Sequence, residues 1–235
     1  GVKCYLPDTN LYGSPQDLYY FLKKFPNLIV KPLNSANRST IRVFLKDSNS
    51  LVITNLKTFE TKSYKFYNRD QAYTIFKKYF KDGEYLIQES IDVTGYRTIT
   101  IRIITLKDHS GQWKAMGLFT RGDQSEENEG KLMPLVKFQK EMVADFLQQS
   151  DLYASLTYQE LTHIAIDTVK EIESMGVHFA NAAVDIIVGE LGDIWISEVD
   201  HFNPSHEIAL VAGYPELYYE ILKTNMLYAK RLAGF

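Results

Sequence analysis

Two short apolar runs near the C-terminus constrain the fold of this chain more than any other stretch: Ala-Val-Asp-Ile-Ile-Val, residues 183 to 188, and Ile-Trp-Ile-Ser-Glu-Val-Asp, residues 194 to 200. Both are rich in β-branched residues, which suit a pleated, half-buried surface, and Gly189-Glu-Leu-Gly-Asp193 between them is a turn signal. The pattern predicts a β-hairpin. With Glu190 to Asp193 as its loop, position 185 falls opposite position 198, and the strand period of two puts Glu198 and Asp200 on the same face. Asp185, Glu198 and Asp200 then converge. Clustered acids raise one another's pKa and cost stability unless a cation neutralises them, and an oxygen-rich set suits a hard ion such as Mg2+. The spacing alone is equally compatible with a hairpin whose acids face solvent.

At 235 residues, 45% of them hydrophobic, the chain can bury a full core and falls in the range of one to two domains. A formal charge of −3 with interspersed signs lacks the basic face that duplex nucleic acid selects, so direct nucleic-acid binding is disfavoured. The single cysteine, Cys4, excludes an internal disulfide and a cysteine-based zinc site, and the five histidines form no ligand spacing. No apolar run approaches the roughly 18 to 20 residues of a membrane span, and the start, Gly-Val-Lys-Cys-Tyr-Leu-Pro, has no signal-peptide layout. A cytoplasmic protein without membrane contact is expected. The many tyrosines and phenylalanines read as core and strand residues.

Local signals order the rest of the chain. Ser14-Pro15-Gln-Asp17 predicts a helix from about Pro15 to Phe25, closed by Pro26. Strands are expected at Leu28 to Pro32, Ile41 to Lys46, Leu51 to Asn55 and Ser63 to Tyr67. A helix follows the capping pair Asn68 and Gln71 and runs to Asp82-Gly83, and a strand covers Glu84 to Ile91. From Tyr96 to Lys107 the alternation is strict, with Ile99, Ile101 and Ile103 on a core face and Thr98, Thr100 and Arg102 on a polar one. Gln112 to Arg121 should pair with it. Gly122 to Lys131 reads as a loop, helices are expected at Phe138 to Gln148, Tyr158 to Met175 and Pro215 to Leu232, and the acidic hairpin lies between the last two. The predicted class is α+β: a segment 1–30 with its helix, a small lobe 31–87 and a larger antiparallel-sheet lobe 88–235, with a ligand cleft between the lobes.

This order of elements resembles the ATP-grasp superfamily, and most closely the endospore coat-associated YheC/YheD type. The phrases that carry the likeness are Tyr5-Leu-Pro-Asp-Thr9, Leu28-Ile-Val-Lys-Pro32, Tyr85-Leu-Ile-Gln88, Ile101-Arg-Ile103, the strand from Trp113 to Arg121, and Ile194-Trp-Ile-Ser-Glu-Val-Asp200. The resemblance implies ATP and Mg2+ as cofactors and a small carboxylate or peptide as substrate. The carboxylate would be activated as an acyl phosphate for attack by an amine or similar nucleophile. It also implies roles: Lys31 on nucleotide phosphates; Gln88, Glu89, Ser90 and Ile91 on adenine and ribose; Arg102 and Arg121 as catalytic phosphate braces; and Asp185, Glu198 and Asp200 as metal ligands. For both arginines a cross-strand ion pair is the alternative, and for Lys31 a surface position.

Departures from the family's pattern favour a second reading. Asp200 stands where asparagine is usual, and Leu33 to Thr40 lacks the glycines that let backbone amides fold over phosphates. Both suit a degenerate domain acting as a nucleotide-binding or spore-coat assembly module. The family's first nucleotide lysine normally lies upstream of the Leu-Pro-Asp-Thr phrase, so a preceding domain is expected to be missing from this chain.

Overall fold

Strand and helix periods sort the chain into two sheets, each with its own helices, in a computed structural model that describes residues 4–34, 39–91, 99–122, 135–138, 158–188 and 193–235. The compact units are Pro7–Asp92 and Gly1–Leu6 joined with Val93–Phe235. Residues 7–30 fall in the smaller unit, which ends at Asp92. Strand β1 (Cys4–Tyr5) pairs within the larger unit.

The smaller unit holds β2 (Thr9–Leu11), β3 (Asn27–Pro32), β4 (Ile41–Asp47), β5 (Ser50–Asn55), β6 (Thr61–Lys65) and β7 (Tyr85–Glu89), in the order β2-β7-β3-β4-β5-β6 and antiparallel throughout. Helices α1 (Pro15–Lys24) and α2 (Arg69–Tyr79) cover one face. The core sits there: Leu28, Val30, Val43, Leu51, Ile53 and Ile87 from alternate strand positions meet Leu18 and Leu22 of α1 and Ala72, Ile75 and Phe76 of α2. The opposite face carries the intervening residues, Ile29, Lys31, Arg42, Leu86 and Gln88 among them. The α2 cap is reciprocal: Asn68 Oδ1 accepts the Gln71 N–H at 3.0 Å, and Gln71 Oε1 accepts the Tyr67 N–H at 2.8 Å. At α1 the Ser14 hydroxyl turns instead to the Asp17 carboxylate, 2.8 Å away. Strand β6 begins two residues before its predicted start, because Thr61 pairs with Thr54 across the sheet.

The larger unit orders its strands β1-β12-β11-β8-β9-β10, with β8 (Ile99–Lys107), β9 (Trp113–Gly122), β10 (Leu135–Phe138), β11 (Asn181–Val188) and β12 (Ile194–Asp200). All pairs are antiparallel except β1 with β12. Helix α3 (Tyr158–Ser174) covers one face through Leu161, Ala165 and Val169, against Ile101, Ile103, Leu118, Ala182, Val184 and Ile186. The short α4 (Ile208–Val211) and the long α5 (Pro215–Leu232) lie on the other, where Ile208, Ala209 and Ile221 meet Ile104, Leu106, Phe119 and Ala183. This corrects the expectation that β8 has one core face and one polar face. Its second face is apolar under α4 and α5 and turns polar only toward Arg102 and Thr100. Phe138 lies in a strand rather than at a helix start. Residues 123–131, 139–148 and 190–192, where loops and a helix were expected, lie outside the described residues, as do 35–38. Among the described residues no helix is long and apolar enough to cross a membrane.

A half-buried clasp ties the end of α3 to the sheet. Glu173 accepts the Lys107 ammonium and, at 2.9 Å, the Trp113 indole N–H, while Lys107 Nζ lies 5.2 Å from the Trp113 ring centre and 5.7 Å from that of Tyr228 on α5. The Lys107 hydrogen bond holds the Glu173 carboxyl below its ordinary pKa. Because the folded value is depressed, this stabilisation is complete above the unfolded glutamate pKa of roughly 4.3 and is lost as pH falls through the lower folded value. Glu173→Gln should flatten that acid limb of stability, measured by urea unfolding from pH 7 to pH 3. Asn68→Ala should lower unfolding stability by about 1 kcal/mol, read from the urea midpoint at unchanged slope.

Candidate functional site

The acidic hairpin forms, and a single extra residue decides which way its acids face. Val188, Ile187 and Ile186 pair with Ile194, Trp195 and Ile196, a register one residue short of bringing 185 opposite 198. A β-bulge at Ser197 then restores the pairing, so Asp185 lies opposite Glu198 and Ala183 opposite Asp200. Ile196 packs into the α3 core, and without the bulge Glu198 and Asp200 would follow it onto that apolar face. The bulge reverses them to the α4 and α5 face, beyond the apolar patch those helices cover. Ser197 Oγ donates to the Asp185 carbonyl at 3.2 Å and stitches the bulge to β11.

Arg102 is the hub of this face. Its Nε and Nη2 donate to Asp185 Oδ1 and Oδ2, both at 2.7 Å, in a two-pronged pair between neighbouring strands β8 and β11. Both groups are buried, at 8% and 6% exposure. The Asp185 bond pushes the Arg102 pKa above its ordinary value, burial opposes it, and the charges of Glu198 and Asp200 add to the rise. All three acids of the hairpin thus act on one guanidinium. Asp200 also closes the following turn, its Oδ1 accepting the N–H groups of Phe202 at 3.1 Å and Asn203 at 2.9 Å. Glu198 is exposed.

The sequence reading made Asp185, Glu198 and Asp200 a set of metal ligands. Among the described residues no three His, Cys, Asp or Glu side chains stand close enough together to hold a metal ion. Asp185 has both oxygens on Arg102. The donors that fit a hard divalent ion are Glu198 and Asp200, two carboxylates on successive same-face positions of one strand. Arg121 pairs through its backbone with Thr100 on one side and Val136 on the other, and its side chain lies outside the described part.

In the smaller unit, Lys31 and Gln88 share the sheet face opposite α1 and α2. Lys31 on β3 pairs with Leu86, and Gln88, two residues along the adjoining β7, pairs with Ile29. Gln88 is braced from the sheet edge, its Nε2 donating to Thr9 Oγ1 at 3.1 Å. Arg42, which the sequence reading did not single out, stands on the same face opposite Ile29. Only the pairing of β3 with β4 reveals it, since neither strand's own pattern says which residue of the other lies alongside. Glu89 turns to the chain start, where its Oε2 accepts the Asp8 N–H at 3.3 Å. The Ser90 N–H donates to the Asn27 carbonyl at 3.1 Å, and Ile91, half-buried, follows.

Comparison with solved structures supports the same architecture. The chain is similar to the ATP-grasp ligase PsnB complexed with a phosphomimetic variant of its minimal precursor, Mg and ADP, at 12% identity and a TM-score of 0.52, over 95% of this chain and 54% of that one. The complex of PsnB with the minimal precursor gives 11% identity and a TM-score of 0.50, over 95% and 56%. The D-alanine-D-alanine ligase from Coxiella burnetii gives 15% identity and a TM-score of 0.47, over 99% and 56%. The chain spans about half the length of these proteins, and the likeness to PsnB is one of fold. No curated protein matches it. A family model described as YheC/D like ATP-grasp matches residues 1–232, nearly the whole sequence. The chain belongs to the YheC/D-like ATP-grasp family.

Proposed function

We propose that this protein binds Mg-ATP and uses it to join a carboxylate to an amine or similar nucleophile. The observation that carries the reading is the cluster around Arg102, a cation and three acids on one sheet face in a chain of the ATP-grasp family. A carboxylate oxygen attacks the γ-phosphorus and the bond to the β-phosphate oxygen breaks, releasing ADP and leaving an acyl phosphate. The nucleophile's nitrogen then attacks the acyl carbon, phosphate departs, and the amine loses a proton.

The chain's own residues position and neutralise. Lys31 offers a point charge to phosphate, and Gln88, Glu89, Ser90 and Ile91 hold adenine and ribose. Glu198 and Asp200 hold the metal, which neutralises phosphate charge when bound. Asp185 acts one step back by fixing Arg102, and Arg102 and Arg121 brace the phosphate oxygens. No side chain needs to attack. PsnB, complexed with a phosphomimetic variant of its minimal precursor, Mg and ADP, is a ligase of the same fold acting beside a precursor, which suits a peptide or small carboxylate as the substrate class proposed here. A cytoplasmic setting suits a reaction driven by ATP.

A second reading draws on the same pair. With both Asp185 oxygens taken by Arg102, the site has one metal carboxylate fewer than its sequence pattern provides. This favours a module that binds nucleotide without turning it over, as in spore-coat assembly. Phosphate release from ATP in the presence of candidate carboxylates and amines separates the two.

ATP with Mg2+ should raise the Tm of the protein in a thermal-shift assay, and ATP alone should raise it less. Glu198→Ala combined with Asp200→Ala should remove the Mg-dependent part. A full shift in that variant would reject the metal assignment, and no shift in the wild type would reject the function. Asp185→Ala, which leaves a buried guanidinium unpaired, should lower stability by about 3–5 kcal/mol, whereas Arg102→Met with Asp185→Leu should recover most of that loss and still lose Mg-ATP binding.

A further inference from the structure

One row of side chains crosses the whole smaller sheet on the face opposite α1 and α2: Thr9, Gln88, Ile29, Arg42, Thr54 and Thr61, in the strand order β2-β7-β3-β4-β5-β6. Hydrogen bonds close its two ends, Gln88 Nε2 donating to Thr9 Oγ1 at 3.1 Å and the hydroxyls of Thr54 and Thr61 meeting at 3.0 Å. Leu28, Val30 and Val43, next to Ile29 and Arg42 along their strands, point into the core under the helices, so burial and pairing agree on which face Arg42 takes. Lys31 lies one row further along β3, beside Leu86. Lys31 and Arg42 are therefore diagonal neighbours on adjacent strands, roughly 7–8 Å apart at the backbone, and two such long side chains can reach one anion together. Neither row holds an acid, nor does the row on the other side, Asn27, Phe44, Val52 and Ser63. Two cations on a face whose central rows carry no acid create a local positive field, and Arg42 is half-buried, where a charge is screened less than in open water.

We propose that Arg42 contacts the phosphate chain of the nucleotide alongside Lys31, an inference that rests on the Mg-ATP function proposed for this chain and gives it a residue that the family resemblance did not supply. The stretch from Leu33 to Thr40 lacks glycine, so phosphate charge that backbone amides would otherwise meet falls to side chains. A guanidinium suits that task. Its planar fork donates to two phosphate oxygens at once, whereas the Lys31 ammonium acts as a point charge. Gln88 and Arg42 stand two strand spacings apart, roughly 10 Å, with the apolar Ile29 between them. The row thus separates the group proposed to hold the base from the one that meets phosphate.

Isothermal titration calorimetry in Mg2+, with ATP and adenosine as the two probes, tests this. Arg42→Met should weaken ATP binding by roughly tenfold or more and leave adenosine within about twofold of the wild type. Arg42→Lys, which keeps the charge and loses the fork, should recover part of the ATP affinity. Lys62→Met removes a cation from the helix-covered face of the same sheet, where Lys62 pairs with Ile53, and should change neither affinity by more than about twofold. Unchanged far-UV circular dichroism and unliganded Tm distinguish a lost contact from a lost fold, and Arg42→Gln gives the same comparison where methionine disturbs the fold. An Arg42→Met protein that binds ATP as tightly as the wild type, or that loses adenosine as much as ATP, overturns the role of Arg42 while Mg-ATP binding stands. A wild type that binds neither probe overturns the nucleotide function itself, and this inference with it.

Discussion

A guanidinium and a carboxylate held 2.7 Å apart at two points, both out of water, sit side by side on the neighbouring strands β8 and β11 of the larger sheet. Removing either ion from water costs several kcal/mol, and the pair offsets this only because both prongs are aligned and further acids stand nearby. That alignment requires one strand register. Slipping β11 by a residue against β8 would turn Asp185 to the α3 side and leave Arg102 alone in a buried position. The pair thus specifies the register, and the register carries Ala183, Ile104 and Leu106 under α4 and α5.

The two sheets expose function differently because they are covered differently. In the smaller unit both described helices lie on one face, and Lys31, Arg42 and Gln88 stand on the other. The larger sheet has helices on both faces, and among the described residues its polar cluster lies beyond the apolar patch under α4 and α5. Arg102, Asp185, Glu198 and Asp200 gather there, at the end of a face whose other half is core. A charged residue placed two positions further along β8, at Ile104, would be buried beneath α4 and α5 without a partner.

Membership of the ATP-grasp family and likeness in fold describe the scaffold, and the chemistry depends on particular side chains. Asp185 illustrates the difference. Its sequence position suggests a metal ligand, while its contacts make it the partner of an arginine.

Much was legible along the chain. The spans of α1, α2, α3 and α5, the hairpin of β11 and β12, and the capping pair at Asn68 follow from local patterns, because period, caps and breakers act over a few residues. Tertiary structure alone decided the rest. The bulge at Ser197, the partnership of Asp185 with Arg102, the split face of β8 and the position of Arg42 beside Ile29 all depend on which strands become neighbours. Strand pairing joins residues 83 apart in sequence, as in Arg102 and Asp185, and no local pattern encodes a contact at that separation.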